Sequence, residues 1–226
     1  MTWYSIRSQG SGPATVYLYG TIGADIFGDG TPAIDFAREL EALGSRPVDL
    51  RVNSEGGDVF EGYAIYSAIK RYPGRVTAYV DGLAASAASF LILAADDVVM
   101  GETSCLFVHK AWTLTIGNST DHRETLQRLE TLDEQLVGIY TAHSNQTAGT
   151  WRRTLADTRL FTAEEAVAWG LASRVDASLK AAASISASTA RSYFGDRVPE
   201  PLKVVDNTTR TTRRLVLLES GPAYVL

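Results

Sequence analysis

The sequence predicts a single α/β domain built on a mainly parallel sheet. Three observations carry this. Strand-like and helix-like segments alternate from about residue 14 to residue 176, the pattern of βαβ units. Apolar residues make up 45% and charged residues 21% of 226 positions, a soluble composition long enough to bury a real core. The longest apolar stretch, from Ala84 through Phe90 to Ala95, is bounded by aspartates and too short to span a bilayer.

In chain order, "ATVYLYG" (Ala14–Gly20) is a strand of β-branched and aromatic residues closed by glycine. "TPAIDFARELEALG" is a helix, with Thr31 as N-cap, Pro32 in the first helical position and Gly44 as the stop. "PVDLRVN" (Pro47–Asn53) is the second strand, and "SEGGD" (Ser54–Asp58) a tight turn. Val59–Tyr72 has Tyr63, Tyr66 and Ile69 at helical spacing. Arg75–Val80 is the third strand; the segment around Ser86 is helical; "DDVVMG" and "SCLFVH" are two short strands.

Ser119–Ser144 repeats Leu126, Leu129, Leu136, Val137 and Tyr140 at helical spacing, a long amphipathic helix that packs either on its own sheet or on another subunit. Thr162–Leu171 is a helix with Thr162 and Glu165 forming a capping box and Gly170 ending it, followed by the strand "ASRVD". The domain therefore spans 1–176. Residues 177–200 are an Ala/Ser-rich linker or weak helix, and 201–226 an extension with Arg210, Arg213 and Arg214 beside an apolar run. That extension either docks on a partner or is a flexible or precursor tail.

Composition narrows the function. A net charge of −5 gives no support for nucleic-acid binding. The single cysteine, Cys105, excludes an intrachain disulfide and reads as a small buried hydrophobe. The N-terminus "MTWYSIRSQGSG" lacks a basic-then-apolar signal pattern, so the expected location is the cytoplasm, with no membrane association.

The chemistry-bearing candidates are few. Ser86 lies where a loop after a strand enters a helix, and Ala84, Ala85, Ala87 and Ala88 leave room for a carbonyl to reach its hydroxyl. The Ala87 N–H would face a developing oxyanion. A small-residue run also arises from close helix packing alone. The paired Gly56 and Gly57 after a strand permit positive φ and close approach, or simply make a turn. His109 ends a core strand, whereas His122 and His143 lie in polar helix pattern and read as solvated. A serine needs an adjacent base at neutral pH, and Ser86 with His109 is the pairing that puts both groups at the ends of core elements.

"VNSEGGDVFEGYAIYSAIK", "GLAASAASFLILAAD", "FVHKAW" and "LFTAEEAVAWGLAS", in that order across residues 16–176, resemble the successive motifs of the ClpP family of serine peptidases. The segment "WTLTIGNSTDHRETLQRLETLDEQLVGIYTAH" resembles most the ClpP-like head maturation proteases of tailed phages and prophages. The resemblance implies the αβ spiral fold shared with crotonases, with the long helix as a protruding handle. It implies Ser86 as nucleophile, His109 (23 residues on) as base, and Gly57 (or Gly56) and Ala87 as oxyanion donors. It implies no metal or other cofactor, a homo-oligomeric ring, and a polypeptide substrate, capsid or scaffold protein in the phage branch, cleaved in the host cytoplasm. An ATPase unfoldase partner is left open.

Three departures matter. Where the family's third triad member is expected, this chain has Arg159; Asp157 lies two residues upstream in what reads as a loop and is the candidate substitute. Lys110 follows His109 and is an alternative base, although adjacent strand side chains point to opposite faces. The tail beyond Asp176 has no counterpart in the housekeeping peptidases. Two other readings of the fold stand beside the peptidase: a crotonase-like acyl-CoA enzyme, which has no need of a Ser–His pair, and an inactive assembly protein.

Overall fold

A computed structural model describes residues 2–8, 10–23, 31–179, 184–186 and 203–205. The architecture is mixed α/β. The strands are β1 (Tyr4–Arg7), β2 (Ala14–Ile22), β3 (Val48–Gly57), β4 (Val76–Ala85), β5 (Asp97–Gly101), β6 (Cys105–Val108), β7 (Arg159–Thr162) and β8 (Arg174–Asp176). The helices are α1 (Ala33–Glu41), α2 (Val59–Arg71), α3 (Ala87–Leu91), α4 (Ser119–Ala142), α5 (Ala148–Asp157) and α6 (Ala163–Ala168). The sheet runs β1-β2-β3-β4-β5-β8, with β6 joined to β4 and β7 to β6. All these pairs are parallel except β1–β2 and β6–β7. Two short strands, β9 (Ser184–Ser186) and β10 (Lys203–Val205), pair parallel with each other. Apart from residues 177–179, the rest of the expected linker and extension lies outside the described residues.

The strands alternate as their sequences require. In β2, Ala14, Val16 and Leu18 are buried while Thr15 and Tyr17 are only partly so. Phe36 and Leu40 of α1 and Ile65 and Ile69 of α2 join Leu50 and Val52 of β3 in one core. Asp58 caps α2 by accepting the Phe60 and Glu61 N–H groups. On α4, Asn118 and Asp121 close a capping box, Leu132, Leu136, Val137 and Tyr140 are buried, and Leu126 is 55% exposed. The helix thus packs its C-terminal half on its own domain and leaves apolar surface on its N-terminal half. Tyr140 stacks on the fully buried Trp151 of α5 with centroids 4.6 Å apart.

Several elements differ from the sequence expectation. The turn expected at residues 54–58 is strand as far as Gly57, because β2 keeps pairing through Thr21↔Gly56 and Ile22↔Gly57. No loop precedes the Ser86 segment, since β4 runs to Ala85 and α3 starts at Ala87. Helix α1 begins after Pro32, not Thr31, because Glu61 of α2 accepts the Ala33 N–H and takes over the capping role. β1, α5 and β7 have no counterpart in the sequence reading, and Asp157, expected in a loop, is the last residue of α5, with β7 starting two residues on. His143 is not a solvated residue: it is half-buried and its Nε2 lies 2.9 Å from the Tyr66 hydroxyl.

Candidate active site

The site is built where β4 changes partner. Thr77–Val80 pair with β5, whereas Leu83–Ala85 pair with β6, so the end of β4 runs alongside the end of β6. Ala85 lies opposite Phe107, and the Ser86 N–H donates to the Phe107 carbonyl at 2.8 Å. Ser86 is the single residue between strand and helix, with φ 56° and ψ −125°. It occupies the N-cap position of α3 without a side-chain cap, so its hydroxyl is not spent on the helix. Residues Ala84, Ala85, Ala87 and Ala88 are fully buried, and a Cβ on Gly62 would stand 3.2 Å from the Ala87 Cβ. The small residues therefore serve close packing around Ser86, which is itself buried. Ser89 donates to the Ser86 carbonyl at 2.6 Å and shares a 2.7 Å hydrogen bond with the Tyr140 hydroxyl.

His109 follows the last residue of β6, and its Nε2 lies 2.9 Å from Ser86 Oγ. Its Nδ1 lies 2.7 Å from the Lys110 carbonyl oxygen. A carbonyl only accepts, so Nδ1 carries the hydrogen and the Nε2 lone pair faces the serine hydroxyl. Burial pushes the imidazole pKa below its ordinary value, partly offset by the hydrogen bond to Lys110. The shift favours the neutral ring, the form that accepts a proton. Lys110 itself points elsewhere: its ammonium sits 3.4 Å from Asp133 Oδ2.

Gly56 and Gly57 have φ of 92° and 154°. A Cβ on Gly56 would come within 2.6 Å of Ser86 Cβ and 2.8 Å of the Ala87 nitrogen. The glycine edge of β3 and the first N–H of α3 thus border the serine together. The Gly56 N–H donates to Ser54 Oγ at 3.1 Å, which leaves Gly57 the better donor candidate on that edge.

Asp157 is the last residue of α5 and is exposed; among the described residues no hydrogen bond joins it to His109. Arg159 lies in β7 opposite Val108, with its guanidinium over the Phe161 and Trp169 rings and bonded to Glu165 at 3.0 Å. Cys105 is buried, its thiol pushed up to about 11 by desolvation. Among the described residues no group of three or more His, Cys, Asp or Glu is placed to hold a metal ion, and no helix is long and apolar enough to cross a membrane. Sequence reasoning missed the Lys110 carbonyl, because a main-chain group has no residue signature. It also missed Asp133, whose one signal is a carboxylate set directly beside the buried Leu132 of α4.

A sequence model of the family described as Clp protease matches residues 16–178. The chain is 32% identical over 143 residues to "ATP-dependent Clp protease proteolytic subunit 1" of Streptomyces avermitilis, covering 62% of this chain and 66% of that protein's length.

Proposed function

The chain belongs to the Clp protease family, and from that premise we propose that it is a serine endopeptidase acting on polypeptides. The observation that carries the reading is the 2.9 Å contact between Ser86 Oγ and His109 Nε2, with the imidazole tautomer set by Lys110. In this reading Ser86 Oγ attacks the scissile carbonyl as His109 Nε2 takes its proton. The N–H groups of Gly57 and Ala87 hold the oxyanion. His109 then returns the proton to the leaving amine, and water repeats the sequence to release the acyl group. Asp157, exposed at the end of α5, is held as a third member only if a rearrangement brings it to His109.

The assembly is proposed to be a homo-oligomeric ring. Supporting this are Leu114 and Ile116, which follow the site at 74% and 81% exposure, and the 55% exposed Leu126 on α4. In that ring the N-terminal half of α4 is the handle between subunits. The Streptomyces relative's name couples it to ATP, and an ATPase unfoldase is the corresponding partner here; the resemblance of residues 112–143 to phage head maturation proteases favours capsid or scaffold protein as substrate.

Covalent labelling with a fluorophosphonate, read by intact mass, tests the reading. One adduct on the wild type that disappears in Ser86→Ala is the expected result. No adduct on the assembled protein would discard the peptidase in favour of an assembly protein on the same fold.

A further inference from the structure

The peptide unit between Lys110 and Ala111 is held at both ends. Its carbonyl accepts from His109 Nδ1 at 2.7 Å, and its N–H donates to Asp133 Oδ1 at 2.9 Å. We propose that Asp133 is a positioning residue for His109, acting as the acid of the Ser86–His109 pair through one intervening peptide group. This rests on the peptidase reading above for its catalytic consequence, though not for its geometry.

The physical argument is one of aligned dipoles. A carboxylate on the N–H end of a peptide polarises it, drawing the hydrogen toward Oδ1 and leaving more negative charge on the carbonyl oxygen. That oxygen faces the Nδ1–H, so the imidazolium formed when His109 takes the serine proton is better stabilised than by an unassisted carbonyl. The same two bonds fix the ring plane and the tautomer, the other task of a triad acid. Asp133 suits this role: its side chain is only 14% exposed, and it sits on α4 among the buried Leu132, Leu136 and Val137.

The charges facing Asp133 are identifiable. Lys110 Nζ lies 3.4 Å from Oδ2 and dilutes its charge. Glu134 on the next position is paired with Arg152 at 2.7 Å. Tyr63 of α2 is near enough for the Asp133 charge to add to the burial that raises its phenol. Burial raises the Asp133 carboxyl, while Ala111 and Lys110 hold it down.

The experiment is NMR titration of the His109 ring with parallel kinetics, on the full chain as wild type, Asp133→Asn and Lys110→Met. Asp133→Asn keeps an acceptor for the Ala111 N–H and removes only the charge. It is expected to lower the His109 pKa by about one unit and kcat about tenfold at unchanged KM. Lys110→Met, which undilutes the carboxylate, is expected to shift the His109 pKa the other way. A purely structural role would move both variants in one direction, or would lower the folded fraction without moving the pKa. Either result overturns the proposal, as does an unshifted pKa in Asp133→Asn. If the wild type takes no fluorophosphonate, the peptidase reading fails separately, and the titration still decides whether Asp133 acts on the ring.

Discussion

Replacing Gly56 by alanine perturbs the site where β3 meets the Ser86 junction. The new Cβ would stand 2.6 Å from Ser86 Cβ, 2.7 Å from the Ala85 carbonyl oxygen and 2.8 Å from the Ala87 nitrogen. Two of these are backbone atoms of a fully buried strand–helix junction, and the third belongs to the proposed nucleophile, so relief requires moving the nucleophile. Gly56 also has φ of 92°, a conformation alanine adopts only with strain. Positive-φ strain and overpacking of one methyl together place the destabilisation at about 3 kcal/mol. For a chain of this size that is a Tm loss of about 6–12 °C. A displacement of most of an ångström at the reacting atom is expected to slow fluorophosphonate labelling by about two orders of magnitude.

The control is Gly44, which has φ of 66° but nothing within 4 Å of its Cβ position. Gly44→Ala carries only the backbone strain, about 1 kcal/mol, and should label at the wild-type rate. The assay is the second-order labelling rate constant beside a thermal melt. The reasoning is refuted if Gly56→Ala labels within about twofold of wild type while melting like Gly44→Ala, because the two would then share strain without the clash.

Three further outcomes are expected. Labelling and peptide hydrolysis should lose rate as pH falls, because an imidazolium cannot accept the serine proton; burial lowers the His109 pKa, so the acid limb should lie below the ordinary imidazole value of about 6.5, and a limb centred above that value, or no loss of rate at any acid pH at which the subunit stays folded, counts against a buried His109 as base. Asp157→Ala should change the labelling rate by less than about twofold, as removal of an exposed side chain does; a collapse of the rate would mean that Asp157 reaches His109 in the working enzyme. Leu114→Asp with Ile116→Asp should dissociate the proposed ring without unfolding the subunit, measured by sedimentation; an unchanged assembly state would remove this apolar patch from the proposed interface.

Most of the fold was legible because its signals are local. β-branched alternation marks β2, helical spacing marks α2 and α4, and Thr162 with Glu165 marks the start of α6. What was not legible depends on partners distant in sequence. The four residues of β1 and the four of β7 are too short for a period to emerge, and each becomes a strand because a neighbour offers a free edge. Helix α5 carries only Trp151, Thr154 and Leu155 on its buried side, too few to announce it. The proximity of Ser86 and His109 was readable from their places at the ends of core elements. The orientation of the ring was not, because a carbonyl supplies it.

These points share a cause in the main chain. Ser86 holds φ 56°, a conformation that costs about 1–3 kcal/mol in a non-glycine residue and persists only when its surroundings over-determine it. They do so here from both sides: the Ser86 N–H is bound to Phe107 of β6, and its carbonyl accepts from the N–H and the hydroxyl of Ser89. Larger residues at 84, 85, 87 or 88 would push against these contacts, so the alanine run keeps the strained junction closed. The strand that anchors the Ser86 N–H also delivers His109, and the carbonyl of Lys110 sets its tautomer. Ser86 and His109 are thus placed by the β4–β6 register and the Lys110–Ala111 peptide. Loss of either carboxylate should therefore cost less here than in a site where an acid alone holds the ring. The Asp133→Asn and Asp157→Ala variants measure that difference on one chain.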